Sequence, residues 1–195
     1  IGSSVVFNNN LTVTSSPDSS YVIGKLDGRT LSYNGTTNLD SNGILFLGGN
    51  SAVLLDTSSV INGTGENIAG VALMGQGVPD PLWNTTADGT NRGRINLKDN
   101  SMGMYGEDGT RLLNDTTGII SVGKEGAALY TGGSDSYAVN SGQIILGENS
   151  HGIYIKDSTK EAVNKSSGVI ESSAFGAVGI FADGGIPLIS NEGRI

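Results

Sequence analysis

Apolar residues in this chain fall in short period-two runs, each broken by Gly, Asn, Ser or Asp. Alternation over so few residues reads as strand with one face buried, and the breaks read as turns. In the second half the runs recur. The triplet Gly-x-Ile appears at Gly93-Arg94-Ile95, Gly118-Ile119-Ile120, Gly142-Gln143-Ile144, Gly168-Val169-Ile170 and Gly193-Arg194-Ile195, at spacings of 25, 24, 26 and 25 residues. A second element follows each of the first four triplets: Gly103-Met104-Tyr105, Ala128-Leu129-Tyr130, Gly152-Ile153-Tyr154 and Gly179-Ile180-Phe181. A third ends in an apolar residue and Asn, at Leu113-Asn114, Val139-Asn140 and Val163-Asn164, with Ile189 and Asn191 in the last unit.

A unit of about 25 residues cannot bury its apolar face alone, whereas units stacked at the ~4.8 Å strand spacing close a continuous core. The expected fold is therefore all-β, a right-handed three-sided parallel β-helix with one unit per rung. Strand alternation points Ile95, Leu97, Ile120, Val122, Ile144 and Leu146 inward and Arg94, Asn96 and Lys98 outward. The terminal Asn residues are expected to stack into a column, bonding along the axis and tolerating a left-handed turn.

Residues 1–92 use the same vocabulary more loosely and read as three or four irregular rungs, against the regular repeats of 93–195. Between Leu73 and the first clear Gly-x-Ile, Gly75 to Arg92 holds Pro79, Pro81 and the only Trp, Trp83. Proline removes a strand donor, so this stretch reads as a loop inserted between rungs.

Composition narrows the function classes. Gly is 31 of 195 residues and Pro 4, and the remainder favours strands and turns over helix. A net charge of −8 argues against nucleic acid and anionic lipid as partners, and no apolar run approaches a membrane span. With no Cys and one His, thiolate zinc sites, disulfides and thiol nucleophiles are excluded. No cofactor or metal is expected. The chain lacks an initiating Met and a leader, and it starts and stops in mid-pattern, so it reads as a piece of a longer mature protein.

The phrases Gly103-Met104-Tyr105-Gly106-Glu107-Asp108-Gly109-Thr110 and Gly147-Glu148-Asn149-Ser150-His151-Gly152-Ile153-Tyr154, set among Gly-x-Ile units over residues 93 to 195, resemble the passenger domains of fusobacterial type V autotransporter adhesins. The resemblance implies an extracellular, surface-exposed adhesin, anchored in the outer membrane through a barrel absent from this chain. Its implied partners are a host cell-surface protein or glycan, or a partner bacterium. No catalytic residue carries over. The absence of Cys agrees, because a passenger crosses the outer membrane unfolded and a disulfide would obstruct it.

Two features are candidates for binding. In the second element of each rung, Met104 and Tyr105 face opposite ways, so an inward aliphatic column leaves Tyr105, Tyr130, Tyr154 and Phe181 as an outward aromatic ladder that can stack on sugars or anchor a protein. The competing reading is that the rings cap the core at a corner. The inserted loop concentrates Pro79, Pro81, Leu82 and Trp83, either as a protein-binding site or with Trp83 folded back over an irregular rung.

Asp108, Asp157 and Asp183 each follow their unit's Gly by 15 residues, with Asp135 two places later in its own unit, so the four can line one corner. They read as turn residues, with calcium or catalysis as the other readings. His151, with no second His or Cys, reads as a corner or solvated residue. Six Asn-x-Ser/Thr sequons, at Asn10, Asn34, Asn62, Asn84, Asn114 and Asn164, are expected to be unmodified in a bacterial protein.

The leading expectation is a monomeric, non-enzymatic adhesin segment. The alternatives are a β-helix polysaccharide-degrading enzyme and a phage tail-spike segment. An enzyme would want acids beside Arg or Lys in mid-strand, where this chain has Ile-x-Leu/Val.

Overall fold

The computed structural model describes residues 4–15 and 19–195; the side chains of Ser4 and Trp83 lie outside the described residues. Strands occur in strict rotation among three parallel sheets of eight, seven and seven strands, and each strand pairs with its counterparts one rung before and after. One rung shows the plan: Arg111–Asn114 in sheet 1, Ile119–Val122 in sheet 2 and Ala127–Gly132 in sheet 3. The expected three-sided parallel β-solenoid of about 25 residues per rung, nearly free of helix, is the fold observed; one 3-10 turn, Pro81–Trp83, is its only helical element among the described residues.

Register follows side-chain type. In sheet 2, Ile61, Ile95, Ile120, Ile144 and Ile170 are mutual partners at successive rungs, each no more than 2% exposed. Met104, Leu129 and Ile153 form the matching inward column of sheet 3. Here two consecutive residues turn inward, since Gly103 is buried beside Met104. A Cβ at Gly103 would lie 2.6 Å from both the Ala128 carbonyl oxygen and the Ile120 side chain, so even alanine would force a shift there.

The Asn column lies inside the solenoid. Asn91, Asn114, Asn140 and Asn164 have no solvent exposure, and each donates its side-chain amide to the next Asn carbonyl at 2.8 to 2.9 Å, ending on Asn191. Further donations, such as Asn114 to Gln143 O at 3.2 Å, tie the column to sheet 2 across the corner. None of these residues is left-handed, which corrects that part of the sequence reading. Most left-handed positions among the described residues fall in two other columns. Asn42, Asn67, Asn100, Glu125, Asn149 and Gly176 turn the chain from sheet 2 to sheet 3, and Asn50, Gly75, Asp108, Gly133, Asp157 and Gly184 turn it from sheet 3 to sheet 1. A buried, saturated amide column and an exposed left-handed corner both favour Asn, for different reasons.

The first-half rungs join the same sheets. Their irregularity lies in a shorter rung, with Tyr21 opposite Gly43 and Thr30 opposite Ala52, and in the inward column that precedes Asn91, which is occupied by Phe7, Tyr33 and Leu55. The inserted loop is narrower than Gly75 to Arg92. Gly89–Asn91 is a strand of sheet 1 between Ala52–Leu55 and Arg111–Asn114, so the insertion is Gly75 to Asp88. Gly89 occupies an inward position whose volume Met104, Leu112 and Leu73 already fill, leaving no apolar residue to mark the strand.

Within the Asn column, Asn140 both gives and receives a ladder bond, whereas Asn91 only gives one. Asn140→Ala is expected to lower the unfolding free energy by about 2–4 kcal/mol, and Asn91→Ala by less, as a lost bond also strands its partner. Urea unfolding of the two variants checks this, and equal losses would contradict it.

Candidate functional site

Sheet 3 brings the aromatic residues together as an outward ladder. Tyr105, Tyr130, Tyr154 and Phe181 are partners at successive rungs, on Met102–Glu107, Ala127–Gly132, His151–Lys156 and Val178–Asp183. The tyrosine centroids are 5.0 Å apart with interplanar angles of 8° and 18°, and Phe181 lies 5.1 Å from Tyr154 at 46°. The three tyrosines are half-buried and in mid-sheet, so they do not cap a corner. Stacked this way, each inner ring covers its neighbour's faces and shows solvent mainly its edge.

The hydroxyl end of the ladder is acidic. The Tyr154 hydroxyl donates to Asp183 at 3.0 Å. Burial first, then a hydrogen bond to Glu107, pushes the Tyr105 hydroxyl well above the ordinary tyrosine value. Tyr130 is raised by burial and by the charges of Glu107, Asp157 and Asp183. These rings remain neutral donors throughout the physiological range.

His151 joins the ladder from the neighbouring outward column. Its ring lies 5.3 Å from Tyr154 and 5.1 Å from Phe181. Burial lowers its pKa, so the folded state resists protonation.

The four acids do not make one column. Asp108 and Asp157 occupy left-handed corner positions with Gly133 between them, whereas Asp183 ends its strand and Asp135 pairs with Lys160 at 3.3 Å. Among the described residues no three His, Cys, Asp or Glu are arranged to hold a metal ion. The sequons divide by exposure: Asn114 and Asn164 lie in the buried ladder, and Asn62 donates to Asn38 in a partly exposed row on sheet 2.

Pro79, Pro81, Leu82 and Trp83 sit elsewhere, on the insertion, which crosses the outer face of sheet 1. Ala52 and Leu54 point outward there yet form a small buried cluster of their own, and Gly77 comes so close that a Cβ would meet Ser51 O at 2.3 Å. The insertion is pinned by Asp88, which is fully buried. Its carboxylate accepts from Arg111 Nη2 at 2.6 Å, Arg111 Nε at 2.9 Å, Arg111 N at 2.9 Å and Gly77 N at 2.8 Å. Asp80 accepts from Leu82 N and starts the 3-10 turn, leaving Leu82 90% and Val78 81% exposed. The Trp83 side chain lies outside the described residues, so neither reading of it is resolved. Sequence reasoning missed the Asp88 and Arg111 lock, whose members stand 23 residues apart at a rung position where the next unit carries Tyr137 and no charged pattern repeats.

Comparison with protein-family profiles, curated proteins and solved structures finds no match.

Two expectations follow. Arg111→Met leaves Asp88 buried and unpaired and should cost about 3 kcal/mol, while adding Asp88→Asn should recover part of it. Thermal and urea unfolding of the single and double variants checks this. For His151, the unfolded chain binds a proton near the ordinary pKa of about 6.5 before the folded chain does, so stability should fall as pH drops through and below that value. His151→Gln should flatten that slope; an unchanged slope would remove His151 as its source.

Proposed function

We propose that this chain is an adhesive segment of a bacterial surface passenger of the autotransporter type, attaching its cell to host cells or to other bacteria. The observation that carries the reading is the outer face of sheet 3, a rigid aromatic ladder displayed on a cysteine-free solenoid. A parallel solenoid satisfies its backbone rung by rung, which lets a long, stiff surface assemble from short repeats after unfolded export. Leu82 and Val78 on the pinned insertion supply a second, smaller contact, ordered in advance of binding. The polysaccharide-degrading alternative has less support. Its four candidate carboxylates are split among corner, strand-end and ion-paired positions.

The experiment is attachment of fluorescent beads coated with the purified chain to epithelial cells and to co-resident bacteria. The expected result is saturable attachment that excess soluble chain competes away. Attachment no greater than that of albumin-coated beads on every surface would overturn the reading.

A further inference from the structure

The outer face of sheet 3 is more than the tyrosine ladder. Its two outward columns run through all seven strands. One carries Val22, Ile44, Ala69, Met102, Ala127, His151 and Val178; the other begins at Lys25, and from there Leu47 and Ala72 lead into the aromatic residues. At ~4.8 Å per strand this apolar stripe is roughly 30 Å long. The outward columns of sheet 2 are mixed, with Arg94 and Gln143 among Val60, Ile119 and Val169 in one, and Asn38, Asn62, Asn96 and Glu171 around Ile145 in the other. A continuous apolar strip of this length on an outer face is the mark of an interaction surface.

Both long edges of the stripe are acidic. On the sheet 1 side stand Glu107, Asp108, Asp157 and Asp183, with Lys156 among them. On the sheet 2 side stand Asp40, Glu66, Asp99, Glu125 and Glu148, against Lys98 and Lys124. A second copy laid face to face would bring like charges together, on a chain already at −8. A glycan ring needs an open aromatic face, and in this ladder the ring faces are spent on one another.

We infer that the outer face of sheet 3 is the docking surface for a cationic polypeptide segment, whose apolar side chains lie along the stripe while its Lys or Arg side chains reach the two acidic edges. This rests on the adhesive reading of the same face and names the partner's chemistry as protein. Electrostatics speeds and orients the encounter, and burial of the stripe holds the complex.

The test uses a Leu/Lys amphipathic peptide of about 20 residues, which as a helix matches the stripe's length. Its Leu/Glu counterpart and a linear glucan oligosaccharide serve as comparison probes. Binding is followed by calorimetry and located by backbone amide NMR shifts. Leu47→Gln with Met102→Gln removes apolar surface at constant charge, and Glu107→Gln with Asp183→Asn removes edge charge. The expected result is shifts confined to sheet 3 and its edges, with affinity for the Leu/Lys peptide falling at least about tenfold in each double variant. Binding should weaken with salt.

Unchanged affinity in the Leu47/Met102 variant, stronger binding of the Leu/Glu peptide or the glucan, or dimerisation through this face would each overturn the inference. The two claims fail separately. Beads that attach to cells by a route the Leu47/Met102 variant does not weaken leave the adhesive reading standing and sink the docking surface. Stripe-dependent peptide binding with no cell attachment does the reverse.

Discussion

Parallel stacking of rungs at the strand spacing is the constraint from which the rest follows. Each backbone hydrogen bond between rungs places a residue directly over its counterpart, so every side chain must tolerate its own kind above and below. Aliphatic residues tolerate this by packing, as Ile95, Ile120 and Ile144 do. A buried Asn tolerates it because its amide carries both a donor and an acceptor, and a stack of Asn satisfies itself along the axis. Aspartates have no such solution. Asp108 and Asp157 are separated by Gly133, and the buried Asp88 is matched by an Arg one rung on.

The same constraint shapes the surface. Like over like turns an aromatic residue in one strand into a ladder, and the ladder closes its ring faces and leaves an apolar edge. Repetition thus converts a local preference into a feature tens of ångströms long. Among the described residues the insertion is the longest departure from this rule. It needs a dedicated anchor, the Asp88 and Arg111 pair, because no rung-to-rung ladder holds it.

What was legible in the sequence was whatever the stacking repeats. The Gly-x-Ile triplets and the outward tyrosines recur at rung spacing and can be read without coordinates. The Gly89–Asn91 strand was not legible, because its inward Gly89 borrows its volume from Leu73, Met104 and Leu112, which lie 15 or more residues away. Nor was the two-way use of Asn, since the buried ladder and the left-handed corners draw on the same residue type. The apolar stripe stayed hidden in part because Ile44, Leu47 and Ala69 stand in short apolar runs whose inward and outward members only the register separates.

Register is the central claim, and the cysteine-free chain allows it to be measured directly. Tyr105→Cys with Tyr130→Cys places two thiols on partner positions one rung apart, within the Cα separation of about 4.4–6.8 Å that a disulfide accepts. Met102→Cys with Tyr130→Cys places them on the same face but out of register. Under mild oxidation the first pair should crosslink nearly completely and the second should remain reduced. Equal crosslinking of the two, or preference for the second, would contradict the register on which the stacked columns and the outward stripe depend.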